Sequence, residues 1–391
     1  MRKKILRCYG ILFILLTAIP YNSIMAQKNI QNSKDWILAI GSYATADNPG
    51  IYTYRFDAET GDTKLISQVR GIADPSYLVF SADSKNIYAV SEGQHLDAKA
   101  YAYAFNKHDG NVKKINSQDA LGAYPCYINT DRKGKFVVTA NYGGGNISVF
   151  PIAKDGGLAP ASQIIPFEGD GFDTKRQKDP HMHCLVFSPD QKYLFAMDLG
   201  TDKIYILKVL QKNNKNNSAI FLDQSSSSFL KLEDGSGPRH LAFHPNGKFA
   251  YLINELSGKV SAMAYKSGQL KILQYIESDT SPGMGSKGSA DIHISPNGKF
   301  LYASNRLIND GIAIFAINQK TGVLTKVGYQ KTGIHPRNFV IAPNGKFLLV
   351  ANRDSNNIQI FEIDHNTGLL TDTKKEIKVS KPSCLKFAGR K

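Results

Sequence analysis

Cysteine is too scarce here for a disulfide scaffold: after Cys8 the sequence carries only Cys126, Cys184 and Cys384. An odd, sparse set does not pair into a framework, and each lies in an apolar, strand-like segment, so all three read as small core residues. Long apolar runs are missing beyond the first 26 residues, which leaves no further candidate for a membrane-spanning helix. No segment has the periodicity of an amphipathic helix of useful length. Positive charge is plentiful, with 48 Lys and Arg against 33 Asp and Glu, but it is not gathered. Lys135, Lys248, Lys299 and Lys346 each follow a glycine in a turn at regular spacing. A nucleic-acid binder needs a clustered basic stripe with stacking aromatics, so no nucleic-acid partner is expected.

The exception to the missing apolar runs is the start of the chain. Arg2, Lys3 and Lys4 precede ILFILLTAI, and a small-residue cleavage point follows at Ala26, so residues 1–26 read as a signal peptide. The run is short and interrupted by Pro20 and Asn22, unlike a membrane span. Cys8 lies inside it rather than just after it, which argues against a lipid-modified amino terminus. The expectation is an exported protein, periplasmic or secreted, with no membrane span after cleavage. Taking Arg2, Lys3, Lys4 and Arg7 from the formal +15 leaves +11 for the mature chain.

Self-comparison of residues 27–391 reveals one motif used repeatedly. PSYLVFSADSKNIYAVSE from Pro75 resembles PCYINTDRKGKFVVTANY from Pro125, MHCLVFSPDQKYLFAMDL from Met182 and PRHLAFHPNGKFAYLINE from Pro238. It returns as SADIHISPNGKFLYASNR from Ser289 and PRNFVIAPNGKFLLVANR from Pro336, and a half copy, PSCLKF, begins at Pro382. Successive anchors lie 50, 57, 56, 51, 47 and 46 residues apart. A period of that length, with β-prone strands around Pro and Asn-Gly turns, predicts an all-β propeller of four-stranded blades. The last copy stops after one strand, and WILAIGSY, GIYTYRF and TKLISQV near the start supply a second, third and fourth strand with no first. Seven blades are therefore expected, the seventh closed by both termini so that no sheet edge stays open. No domain boundary fits the pattern, so residues 27–391 are expected to form one domain, as a monomer. QKNNKNN (211–217) and SSSS (225–228) read as loops inserted in one blade.

In a propeller the first strand of each blade lines the channel, and its start shares a face with the loop leaving the second strand. Aligned copies place Ser76, Cys126, His183, Arg239, Ala290, Arg337 and Ser383 at the first position. The second is taken by Glu92, Tyr142, Leu199 with Asp198 beside it, Glu255, Arg306 and Arg353. These positions differ in chemistry while the apolar and turn positions stay alike, which marks a site rather than a structural repeat. Arg239 and Glu255, sixteen residues apart at the two ends of a hairpin, should be neighbours in space. Arginines grip oxygen-rich or anionic groups through a planar fork of donors. Glu255 beside them could orient or deprotonate water, and His183 could move a proton near neutral pH. The bland alternative for Glu255 is a plain salt bridge to Arg239. His181 and His183 form a His-x-His spacing with Asp198 the one obvious third ligand, too thin a set for a metal site, and no metal or other cofactor is expected. His240, His244 and His293 read as satisfied structural histidines. The run Gly143 to Gly145 opens a loop between strands, not a helix, and is a poor phosphate cradle.

These residues resemble the seven-bladed propeller lactonases, which include a bacterial type of 6-phosphogluconolactonase and, more distantly, fungal carboxymuconate-cyclising enzymes. The likeness runs from about Trp36 to Lys391 and is carried by RQKDPHMH (176–183), GPRHLAFHPNGKFAYLINE, SADIHISPNGKFLYASNR and HPRNFVIAPNGKFLLVANRDSNNIQIF. It implies hydrolysis of a sugar lactone at the channel mouth, with Glu255, His183 and Arg239 as the catalytic set. Arg306, Arg337 and His181 would bind substrate. A small-molecule lactone is then the expected partner. An export signal sits uneasily with 6-phosphogluconolactone, which is made inside the cell, so an unphosphorylated sugar lactone or another cyclic ester is a competing substrate. Two other functions suit the same mouth: a muconate-type cyclase or lyase, and a non-catalytic propeller binding a glycan, an envelope component or a protein.

Overall fold

Seven four-stranded antiparallel sheets make up the computed structural model, which describes residues 35–210, 220–282 and 287–389. The signal-peptide reading of residues 1–26 and the QKNNKNN loop lie outside the described residues. No α-helix occurs among the described residues, where a single 3-10 turn, His95–Asp97, interrupts the strands. Six of the sheets are each one sequence repeat, and the seventh combines Pro382–Phe387 with three early strands. The fourth blade, for example, runs Pro238–Phe243, Phe249–Asn254, Lys259–Lys266 and Gln269–Glu277 in spatial order. First strands touch their neighbours from blade to blade around a closed ring, and the last of them, Pro382–Phe387, meets both the sixth blade and the first. The fold is therefore a seven-bladed β-propeller.

Closure follows the expected route. The strand Asp35–Ser42 pairs with Ile51–Asp57 on one side and with Pro382–Phe387 on the other, in a register that sets Leu38 opposite Phe387 and Gly41 opposite Cys384. The core lies between blades, where the alternate faces of second and third strands supply Leu, Ile, Val and Phe that are almost wholly buried. A repeated tyrosine fastens these layers. Tyr88, Tyr251 and Tyr302 are buried on second strands, and their hydroxyls donate to the carbonyls of Gly156, Gly322 and Gly368 in the next blade, at 3.1, 2.9 and 2.9 Å. Gly322 has φ +74°, and a Cβ there would stand 2.4 Å from the Phe249 ring, so only glycine suits the turn.

One expectation is corrected in part. Ser225–Ser228 lie within the outermost strand of the third blade, Leu222–Lys231, rather than in a separate loop, but the register jumps from Lys208 opposite Asp223 to Ile206 opposite Ser228, so Gln224 to Ser227 are extra residues bulging from that strand. An outer strand has one exposed side, where polar side chains suit the solvent. Asp223 gathers the run locally, accepting from the Ser225 and Ser226 hydroxyls at 2.7 Å each. The three cysteines are free and buried, as composition suggested.

Candidate active site at the channel mouth

A local irregularity aims the channel side chains. First strands pair regularly with second strands except at one place, where an extra residue falls between Pro125 and Tyr127, Met182 and Cys184, Pro238 and His240, and Pro336 and Asn338. The closing strand does the same between Pro382 and Cys384. The bulged residues are Cys126, His183, Arg239, Arg337 and Ser383. A bulge bends the strand and re-aims its extra side chain. Together with Ser76, these five line a single cavity, joined there by Tyr77, His240 and Asn338. The fifth blade contributes differently, through the Ala290 carbonyl, which accepts from Arg239 Nη1 at 2.5 Å.

The facing position is fixed by a buried asparagine at the end of the second strand. Asn254 donates to the Lys259 carbonyl at 3.0 Å and to Ser261 Oγ at 2.9 Å, pinning the turn that Glu255 begins. The Glu255 N–H closes the hairpin on the Gly237 carbonyl at 2.7 Å.

Glu255 is buried and met by three guanidinium groups. Arg239 Nε stands 2.9 Å and Arg306 Nη2 3.2 Å from Oε2, while Arg176 Nη2 stands 2.8 Å from Oε1. Burial by itself would raise the carboxyl pKa, but Arg306, Arg239 and Arg176 outweigh it and hold the group well below the ordinary carboxylate range. Arg306 is committed on every nitrogen. Nε donates to the Gly288 carbonyl at 2.6 Å, Nη1 lies 3.3 Å from His335 Nε2, and Nη2 serves Glu255. Burial pulls it down to about 9, which leaves it a cation at neutral pH.

Arg337 is held more loosely. Its guanidinium lies 3.9 Å from Glu92 Oε2 and over the Tyr43 ring, 5.3 Å from the centroid. Tyr43 in turn donates to Glu92 Oε2 at 2.9 Å, and burial, with Glu92 beside it, keeps the phenol protonated.

Between these clusters stands His183, buried, with Nδ1 lacking a partner among the described residues; Ser76 Oγ in the same cavity lacks one too. Burial, Arg239 and His240 push the His183 pKa far down, so the ring is neutral at pH 7 and a weaker proton acceptor than its residue type suggested. His181 is not in the cavity lining. Its ring stacks on Tyr142 at 4.4 Å, and Nδ1 lies 2.9 Å from the Tyr142 carbonyl, which sets the proton on that nitrogen. Asp198, weighed above as a third metal ligand, is fully buried and accepts from the His181 N–H, the Gly200 N–H and Thr201 Oγ.

The profile of a family described as "Lactonase, 7-bladed beta-propeller" matches residues 37–387. The chain belongs to that family. Among the lactonase relatives, a 6-phosphogluconolactonase of Formosa agariphila is 42% identical over 353 residues, 89% of this chain and 98% of that one. A solved structure from Bacteroides fragilis, a candidate 6-phosphogluconolactonase, is 51% identical with a TM-score of 0.87, covering 92% of this chain and 99% of that one. The periplasmic gluconolactonase PpgL of Pseudomonas aeruginosa is 32% identical with a TM-score of 0.83, covering 91% of this chain and 99% of that one. Identity at these levels over nearly whole chains makes this an enzyme of the lactonase type.

Two parts of the candidate site at the channel mouth were not legible in the sequence. Tyr43 and Glu92 belong to the cluster around Arg337; Glu92 was aligned as a strand end but not given a role. Arg176 sits in the loop before the third blade, inside the RQKDPHMH stretch, and loop residues carry no strand register from which to place them. Its neighbour Gln177 anchors that loop: fully buried, it donates to the Leu199 carbonyl at 2.8 Å and Asp202 Oδ1 at 2.7 Å. Asp202 also accepts from the Gly237 N–H at 2.7 Å, tying the loop of Arg176 to the segment leading into Arg239.

Proposed function

We propose that the protein opens a sugar lactone by adding water at the channel mouth. The observation that carries this reading is Glu255, an ionised carboxylate set among Arg239, Arg306 and Arg176 beside a cavity containing unpartnered His183 and Ser76 atoms. Water oxygen bonds to the lactone carbonyl carbon as Glu255 takes one of its protons. The carbonyl electron pair moves onto oxygen, where Arg239 and Arg337, both on the cavity wall, stabilise the charge. Collapse breaks the ring C–O bond, and the ring oxygen takes the proton back from Glu255, leaving a hydroxy acid. His183, neutral, supplies a hydrogen bond rather than a charge. Arg306, with its nitrogens already engaged, holds Glu255 in place, and His181 shapes the rim through Tyr142.

The export signature of residues 1–26 and the periplasmic relative both support a mature chain of residues 27–391 working outside the cytoplasm. Hydrolysis in 18O-labelled water tests the reaction: one labelled atom should enter the new carboxylate, at a rate above the blank. Ligand protection against heat without any opening of lactones would favour a binding propeller instead.

A further inference from the structure

Resting on the lactonase reading, the geometry points to Arg176 as a substrate-responsive gate on the catalytic carboxylate. We propose that its guanidinium exchanges between Glu255 Oε1 and a second anionic group of the substrate, a phosphate or a distal carboxylate, releasing Oε1 for water.

The four guanidinium groups that meet Glu255 or line the cavity are not equivalent. The side chains of Arg239, Arg306 and Arg337 are 2%, 7% and 15% exposed, whereas that of Arg176 is 45% exposed. The first two are also tied to backbone carbonyls of the fifth blade, Ala290 and Gly288. Arg176 has no such tether among the described residues: its Nη2 meets Glu255 Oε1 at 2.8 Å and the Tyr142 hydroxyl at 3.5 Å. Its backbone is fixed nonetheless, since Gln177 is locked to Leu199 and Asp202, and the Arg176 N–H donates to Asp173. A long side chain on a fixed base, half in solvent, can move between two anions without moving the loop. An ion pair with one exposed partner costs little to exchange, and a dianionic phosphate or a bidentate carboxylate competes well for a guanidinium.

The chemistry gives the exchange a purpose. Oε2 is shared by Arg239 and Arg306, so Oε1 is the oxygen left for water, and Arg176 covers it. A carboxylate ringed by three cations is a weak base, and removing one raises its proton affinity. A substrate with a second negative group would therefore bind more tightly and switch on its own base, whereas a neutral lactone would have to displace Arg176 unaided.

Product acids test this without turnover. Calorimetric titration of the 27–391 protein with gluconate, 6-phosphogluconate and glucarate compares one anionic group with two, and the last two ligands separate phosphate from carboxylate as the preferred anion. In the wild type the second anionic group should tighten binding about tenfold or more, the scale of one charge-assisted contact. Arg176→Ala should shrink that ratio to under about twofold with gluconate affinity retained, and Arg176→Lys should keep part of it. An unchanged ratio in Arg176→Ala, no ratio in the wild type, or an equal loss for all three ligands would overturn the proposal. Whether any lactone is opened decides the lactonase reading separately.

Discussion

Arg239 and Glu255, sixteen residues apart, meet at 2.9 Å across the open end of a single hairpin. The arginine is the extra residue of a β-bulge and the glutamate is the first residue of a turn, so both side chains leave the regular ladder at the same edge. Arg306 and Arg176 join the pair from other elements, giving one carboxylate to three cations.

Removing the charge at the centre should cost both rate and stability. Glu255→Gln is expected to lower kcat by about two to four orders of magnitude, the usual contribution of a general base. The same change leaves Arg239 buried without its counterion, which should destabilise the fold by roughly 3–5 kcal/mol. Initial rates and denaturant unfolding on the same preparation check both numbers, and rates must be read well below the unfolding midpoint.

The pH profile follows from the sign of the Glu255 shift. Its folded pKa is depressed, so the carboxylate stays ionised as pH falls through 4.5 and protonates only below that. Activity should therefore hold from neutral pH to below 4.5, then decline, and the stability contributed by the ion cluster should be lost over the same acid range. A pH-stat series from about 3 to 7 and parallel melting curves would show it; a midpoint near 6 would assign the base to another group.

Arg337 and Arg306 should behave differently although both face the mouth. Arg337 is held by a 3.9 Å ion pair and a ring contact and faces the developing oxyanion, so Arg337→Ala should lower kcat about a hundredfold or more with a small change in melting temperature. Arg306 is wired to Gly288, His335 and Glu255, so Arg306→Ala should lower kcat and stability together. Steady-state kinetics paired with calorimetry separates the two patterns.

Deeper in the channel, Asp291 holds His240 at 2.7 Å and His293 at 2.9 Å and also accepts from Asn338, bracing the fourth, fifth and sixth blades. Burial would raise its pKa, but its histidine partners outweigh that and hold it well below the usual range, while burial drives His240 down to about 4. Asp291→Ala should therefore destabilise by roughly 3–5 kcal/mol. The contribution of Asp291 is present above its unfolded pKa near 3.8 and is lost as pH falls below it. Urea unfolding at pH 7 and pH 3 measures both effects.

The propeller and its shared blade were legible because the repeat fixes register: once Pro75, Pro125 and Pro238 align, every strand has a place. The same register found the residues lining the cavity, since a bulge recurs at the same step of the motif in most blades. It could not find Arg176, which lies in a loop with no counterpart in other blades, nor the pairing of Tyr43 with Glu92, which joins the start of the chain to the first blade. Nor could it foresee how far burial and Arg239 depress His183, because that depends on surroundings rather than residue type. The serine run was read half correctly: its residues are an insertion, but one that bulges within an outer strand rather than leaving it as a loop.

The most direct test is acid release by the 27–391 protein from a panel of sugar δ- and γ-lactones, phosphorylated, carboxylated and neutral, near pH 6.5, with the spontaneous rate subtracted. Glu255→Gln and Arg239→Ala should be run beside it. The account predicts turnover of at least one lactone by the wild type, lost in both variants while each remains folded by circular dichroism. Full activity in folded Glu255→Gln, or no lactone opened faster than the blank, would contradict it.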